Sequence, residues 1–414
     1  MLKIITKIGL LAFIAVALLV AATEIATAKV EGDTIILGAA VSLTGKYSTN
    51  GKNTRDGYDL AVKRINENES IKINGKSYKL KIIYYDDEST PARAAQLAER
   101  LINQDGVKYM LGPYSSGLTT AIAPVTEKYK IPMVEGNGAA LSLFNKGYKY
   151  LFATLSTTEY YLKSAVELMA EKASEIGKKP SQVTVAMAFE NDPFSQDVRA
   201  GVVEDAKKHG MKIVIDDKLP PEINDMAATL TKVRAIRPDL LVVSGHAKGA
   251  TLVVRQSNDM RVRAPMMATT HCDSAKVAET MPTAAEGFLC ASQWDRGLKY
   301  ADKWFGTAEE YAQLFEKTYN YAPPYQAAES TAAVLVFVDA FNRCQCFETE
   351  KLRDAIAATQ METFYGNIKF DKTGKNIAKP MILYQVRKGE YQVVAPSKWS
   401  EAKVKFPLTQ TRDR

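Results

Sequence analysis

Histidine, tryptophan and cysteine are scarce in this 414-residue chain, at three, three and four residues. The few imidazoles and thiols stand in no familiar ligand spacing, so no metal is expected. Neither Gly-x-Ser-x-Gly nor His-Glu-x-x-His occurs, which removes the motif support for a secreted hydrolase or metalloprotease. No apolar run reaches the roughly twenty residues that span a bilayer; the longest, 8–22, stops short. Fifty-four Lys and Arg against 47 Asp and Glu leave +7, but the signs are interleaved and no long basic block appears. Nucleic acid is therefore not an expected partner.

What is present is an ordinary globular composition, 46% hydrophobic and 24% charged, with material for two core-bearing domains. Lys3 and Lys7, the apolar run and Ala26-Thr27-Ala28 follow in the order of a secretory signal peptide over 1–28, cleaved after Ala28. No cysteine near that point can accept a lipid, so the mature chain is expected free in an oxidising exported compartment, the periplasm. Cys272, Cys290, Cys344 and Cys346 can form disulfides there without a pairing being specified. Cys344 and Cys346, one residue apart, are expected to be poorly placed to bridge each other.

From residue 34 onward, short β-branched or apolar runs alternate with segments of helical period, the pattern of βαβ units around parallel sheets. Strands are expected at 34–41, 78–85, 109–112 and 131–134, with helices at 51–66, 91–104 and 119–129 between them. A second set follows: strands at 182–189, 212–216, 240–244, 265–269 and 286–293, helices at 160–174, 194–209, 226–235 and 247–259. Helices at 307–319 and 327–343 come next, and the tail from 366 turns to strand alternation. Two such sets predict an α/β protein of two Rossmann-like, three-layer lobes. Ligands of open parallel sheets bind beyond the C-terminal strand ends, which singles out Ser42-Leu43-Thr44-Gly45, Asp86-Asp87, Gly112-Pro113-Tyr114-Ser115-Ser116-Gly117, Glu135-Gly136-Asn137-Gly138-Ala139, Glu190-Asn191-Asp192-Pro193-Phe194, Gly245-His246 and Thr270-His271-Cys272-Asp273.

These loops, with Tyr129-Lys130-Ile131-Pro132-Met133-Val134 and Gly366-Asn367-Ile368-Lys369-Phe370-Asp371, resemble in order and spacing the type I periplasmic solute-binding proteins of ABC importers, in the leucine/isoleucine/valine-binding branch. The resemblance runs from about 33 to about 396. It implies a Venus flytrap: two lobes joined by three crossover strands, near Ala153, Trp294 and Glu362, that close on a small solute. Lobe 1 is then 29–153 plus 295–362 and lobe 2 is 154–294 plus 363–398, with 399–414 a C-terminal tail. The family's carboxylate-binding positions, a loop serine and backbone amides one loop later, fall on Ser116 and on Asn137 with Ala139; Ser115 and Gly138 adjoin them. A hydroxyl and free amides at a helix start suit an anion.

Departures from the family bear on the solute. The threonine and the acid that hold an α-ammonium group in amino-acid-binding members fall on Ala139 and His271, which offer neither hydroxyl nor carboxylate, although Glu135 or Asp273 can substitute if the register slips. Three aromatic wall positions fall on Asn50, Phe194 and His246. Such a pocket suits an aromatic or longer carboxylate, with Phe194 and Tyr114 against a ring and His246 and His271 meeting a second polar group. Trp294 is expected to pack the hinge. Asp86 and Asp87 read as structural, and no cofactor or catalysis is expected. The expected function is capture of an amino acid or organic acid and delivery to an inner-membrane ABC permease by a monomeric protein. The alternative is a periplasmic sensory module for amino acids or amides that docks a receptor.

Overall fold

The computed structural model describes residues 30–408; the leader expected over 1–28 and the end of the tail lie outside the described residues. Two seven-stranded sheets organise the chain. In the first, Thr34–Val41 lies between Lys76–Asp86 and Met110–Leu111, all parallel, and Met133–Glu135 and Leu151–Ala153 extend it on one side. Ile71–Ile73 closes the other side as an antiparallel hairpin with Lys76–Asp86. In the second, Lys212–Leu219, Thr184–Glu190, Leu240–Ser244, Met266–Thr270 and Leu289–Ser292 run parallel in that spatial order. Ile382–Arg387 and Glu390–Ala395 complete it antiparallel. Leu240–Ser244 is buried throughout, as a strand covered by helices on both faces must be, and its unbroken Leu-Leu-Val-Val run reflects that.

Helices fall where apolar spacing and caps place them. Ser48–Glu67 buries Tyr58, Ala61 and Ile65, one face at i, i+3 and i+7. It crosses the long helix Tyr325–Cys344 at Gly57, where a Cβ would stand 2.2 Å from the Ala327 carbonyl oxygen. Only glycine lets these backbones approach so closely. Pro193–Lys208 starts at Asp192, whose Oδ1 accepts from Phe194 N and Ser195 N at 2.9 and 3.2 Å.

The chain crosses between sheets three times, and the crossing segments are tied together. Ser156 N donates to Gln293 Oε1 at 3.1 Å and Gln293 Nε2 returns to Ser156 O at 2.8 Å. Asn376 Nδ2 donates to Thr154 O at 2.7 Å, and Lys379 Nζ donates to Gln293 O. The third crossing thus lies at 376–379, not near Glu362. Gln360–Thr363 instead folds back on Gly366–Lys369, and the following loop stays on the first sheet, bridging Lys375 to Ala153. Residues 363–375 therefore sit with lobe 1, a correction to the expected boundary.

Both cysteine pairs are bridged, Cys272 to Cys290 and Cys344 to Cys346. The second corrects the expectation that neighbours one residue apart are poorly placed. Gln345 ends its helix with φ of 52°, and this left-handed turn brings the two Cα atoms to 5.2 Å, inside the bridging range. After Ala395 the chain lies on lobe 2: Gln385 Nε2 donates to Lys405 O at 3.0 Å, and Leu408 N donates to Pro265 O at 2.8 Å. No helix among the described residues is long and apolar enough to cross a membrane.

Candidate functional site

The C-terminal strand ends of both sheets face one another across a closed cleft. Lobe-to-lobe bonds hold it: Tyr325 N donates to Asp273 Oδ2 at 3.1 Å, Ser142 N to Asp197 Oδ2 at 2.8 Å, and Lys46 Nζ to Pro221 O at 3.1 Å. At the centre, Tyr114, Ser115, Ser116, Asn137, Tyr161, Phe194, His246, His271, Tyr325, Gln326 and Glu329 surround a space of about 10 Å³. That is roughly the room one water needs.

Tyr114 follows the strand Met110–Leu111 and carries its hydroxyl across the cleft, 2.9 Å from His246 Nδ1 and 3.1 Å from His271 Nε2. The two histidines follow the adjacent strands Leu240–Ser244 and Met266–Thr270, His246 as the first residue of the helix His246–Asp259, with left-handed φ of 52° and 62°, and both rings line the space. Phe194, from the first turn of Pro193–Lys208, lies 5.5 Å from the His246 ring and 5.1 Å from that of His271. Tyr47 and Tyr161 extend this aromatic wall.

Lobe 1 supplies polar atoms. Ser115 has φ of 102°, outside the ordinary range for a side-chain-bearing residue, and its Oγ is buried without a hydrogen-bond partner. Ser116 differs: it opens the helix Ser116–Lys128 and its Oγ accepts from Ala140 N at 3.0 Å. Asn137 donates through Nδ2 to Ser330 Oγ at 2.9 Å and leaves Oδ1 unpartnered. Gln326 is fully buried with both Oε1 and Nε2 unpartnered.

Glu329 is the one carboxylate among the described residues lining this space. Burial, with Glu135 nearby, drives its pKa well above the usual range, and Tyr365 donates to its Oε2 at 3.3 Å. Glu135 is sealed beneath, accepting from Asn137 N and, at 2.8 Å, from Thr119 Oγ1; burial pushes it up to about 7. Asp273 is likewise raised to about 6 by burial, its oxygens accepting from Tyr325 N and Ser274 N.

The two histidines titrate in opposite directions. Burial lowers His246, but the carboxylates of Asp192, 3.4 Å from Nε2, and Glu190 outweigh it and raise the pKa. Burial and the neighbouring His246 drive His271 well below its usual value. Glu190, Asp192 and His246 also form the one set of metal-ligand type among the described residues. Lys46 Nζ stands 3.7 Å from Glu190 and Asp192 caps a helix, so ion pairing and capping engage both carboxylates.

Of the residues singled out in the sequence, Tyr114, Ser115, Ser116, Asn137, Phe194, His246 and His271 converge on this centre. Asn50 instead lines an adjoining cavity of about 400 Å³ with Lys46, Glu190 and His246. Gly138 and Ala139 lie behind the wall; a Cβ on Gly138 would stand 2.5 Å from Thr119 Oγ1. Trp294 packs at the hinge, Nε1 donating to Phe364 O at 3.1 Å. Asp86 and Asp87 brace the loop after Thr34–Val41, accepting from Leu43 N and Ser42 Oγ. Sequence reasoning missed Gln326 and Glu329. Their signal was a polar pair about one helical turn apart at the start of a helix that runs on into the apolar stretch 332–338.

Comparison with known proteins follows the same outline. The family model described as periplasmic binding protein matches residues 34–390. The Leu/Ile/Val-binding protein homolog 8 of Brucella abortus is 24% identical over 379 residues, covering 89% of this chain and 92% of that one. The fold superposes on the branched-chain amino acid transporter substrate binding protein LivJ of Streptococcus pneumoniae, in complex with isoleucine, at a TM-score of 0.74 and 22% identity, over 88% of this chain and 100% of that one. It superposes equally, at 0.74 and 18% identity over 91% and 99%, on an ABC transporter solute binding protein of Rhodopseudomonas palustris in complex with 3,4-dihydroxybenzoic acid. The chain belongs to the periplasmic binding protein family, on the two-lobed type I fold it shares with the Leu/Ile/Val-binding proteins of ABC importers.

Proposed function

We propose that this chain is the periplasmic substrate-binding component of an ABC importer, capturing a small aromatic carboxylate between its lobes as a monomer and presenting the closed form to an inner-membrane permease. The observation that carries this reading is the composition of the cleft: unpartnered polar atoms of Ser115, Asn137 and Gln326 on lobe 1 oppose two imidazoles on lobe 2, inside a ring of Tyr47, Tyr161, Phe194 and Tyr325. Buried polar atoms left unpaired cost roughly 1–3 kcal/mol each, a cost that a polar solute would remove. Ser115 Oγ, Gln326 Nε2 and the start of helix Ser116–Lys128 take the carboxylate, Asn137 Oδ1 accepts from a donor on the solute, and Phe194, Tyr161 and Tyr325 take the ring.

An aliphatic α-amino acid fits less well, because among the described residues the centre is lined by no carboxylate but Glu329 to meet its ammonium group. Glu135 and Asp273, the substitutes the sequence left open, are spent on Thr119 and on backbone amides, and burial disfavours the ionised form of Glu329. The test is calorimetry and thermal shift of the mature chain with benzoate, 4-hydroxybenzoate, leucine, isoleucine and valine. Ligand at a hundred times its Kd adds about 2.7 kcal/mol to stability. Aromatic acids should raise the melting temperature and leucine should not; a large shift with leucine and none with aromatic acids sinks the proposal.

A further inference from the structure

The centre of the cleft is full. About 10 Å³ remains among its lining side chains, against the roughly 300–1,000 Å³ of an ordinary small-molecule pocket. With the lobes closed as far as they are here, a ring-bearing solute seated at this centre needs a side chain to give way. Tyr114 is the side chain placed to do so. Its neighbours Phe194 and Tyr325 belong to the first turns of long helices, whereas Tyr114 stands on the loop between Leu111 and Ser116, beside the strained backbone of Ser115. Its hydroxyl alone engages both lobe-2 imidazoles.

The hydrogen bonds through that hydroxyl run in one direction. Asp192 beside Nε2 favours the doubly protonated form of His246, whose Nδ1–H then donates to the Tyr114 oxygen. Tyr114 donates onward to His271 Nε2, and neutral His271 turns Nδ1–H to Thr270 Oγ1 at 3.0 Å. An atom replacing the Tyr114 oxygen must accept from one imidazole and donate to the other. A hydroxyl does both with the rings as they stand, whereas a carboxylate oxygen requires His271 to carry its proton on Nε2 and to accept at Nδ1 from Thr270 Oγ1 instead.

We propose that Tyr114 is a removable plug whose phenol occupies the seat of the solute's own hydroxyl, so that the admitted solute is a hydroxyl-bearing aromatic and Tyr114 sets how tightly it binds. This deepens the reading of the preceding section and rests on the same cleft.

The experiment compares the mature wild-type chain with Tyr114→Ala and Tyr114→Phe. Tyr114→Ala should melt below wild type, and millimolar 4-methylphenol, the tyrosine side chain as a free molecule, should restore it by several degrees while toluene restores much less and wild type does not respond. Tyr114→Phe, which keeps the ring and the fold, should bind 4-hydroxybenzoate about tenfold more tightly than wild type, the worth of one net hydrogen bond no longer in competition, with benzoate changing less. Weaker 4-hydroxybenzoate binding in Tyr114→Phe overturns the plug and makes Tyr114 a simple ligand contact. So does 4-methylphenol that acts on neither protein or on both alike; if Tyr114→Ala does not fold, Tyr114→Phe decides. Rescue by 4-methylphenol with no aromatic acid bound by wild type would sink the functional reading and keep the plug, and binding without rescue the reverse.

Discussion

Glu135 lies beneath the cleft floor with no exposed surface, and its oxygens hold the turn at Asn137 and the hydroxyl of Thr119 in place. Burial raises its pKa from 4.5 to about 7, so folding takes up a proton there over the interval between. The stabilisation is fully present below about 4.5 and is lost as pH rises through about 7. Asp87 and Asp273, each raised to about 6 by burial, act with the same sign. The melting temperature should therefore fall between pH 5 and pH 8, and Glu135→Gln should flatten that fall, since an amide fills the same space without titrating. An unchanged slope in the variant would show that the carboxylate stays ionised throughout. Tyr114, His246 and His271 illustrate the limit of sequence reading at this scale. Each was legible as a residue just past a strand end, but the hydroxyl that joins them comes from 132 and 157 residues away, a meeting that no local pattern encodes.

Among elements, the parallel strands were the most legible because burial on both faces demands continuous β-branched and aliphatic runs, as in Leu240–Ser244. Thr349–Ala357 escaped notice because it buries only Leu352 and Ile356, too few apolar positions to show a period. The resemblance puts a crossing near Glu362, where the chain instead turns back as the hairpin Gln360–Thr363 with Gly366–Lys369; only strand pairing tells a turn back from a passage onward. Gln326 and Glu329 are hard to single out because they open a helix whose first half is buried throughout, polar and apolar positions alike. The Cys272–Cys290 bridge joins the turn after Met266–Thr270 to the neighbouring strand Leu289–Ser292, closing a loop with a sequence separation of 18. Replacing both cysteines with serine should cost about 3 kcal/mol, read as a lower urea midpoint with the slope nearly unchanged. The same change at Cys344 and Cys346 should cost less, because their loop is shorter. Equal losses would mean that burial of the sulfurs, not loop closure, sets the effect.

For the whole molecule, the hinge is a bundle of three crossing segments laced by Ser156, Gln293, Asn376 and Lys379. A path that crosses three times cannot finish where it started. Val30 pairs into the first sheet beside Ile35, and Leu408 is anchored on the second through Pro265. The two ends of the described chain therefore ride on different lobes. A donor and an acceptor fluorophore attached near these ends would turn lobe motion into a change of energy transfer, with no label placed inside either lobe. Adding a bound solute should shift the transfer efficiency, and Tyr114→Ala, which severs two of the bonds across the cleft, should shift it the opposite way; a signal flat under both would mean that the lobes move as one body. The odd number of crossings thus makes this chain a ready-wired optical reporter of whatever it captures.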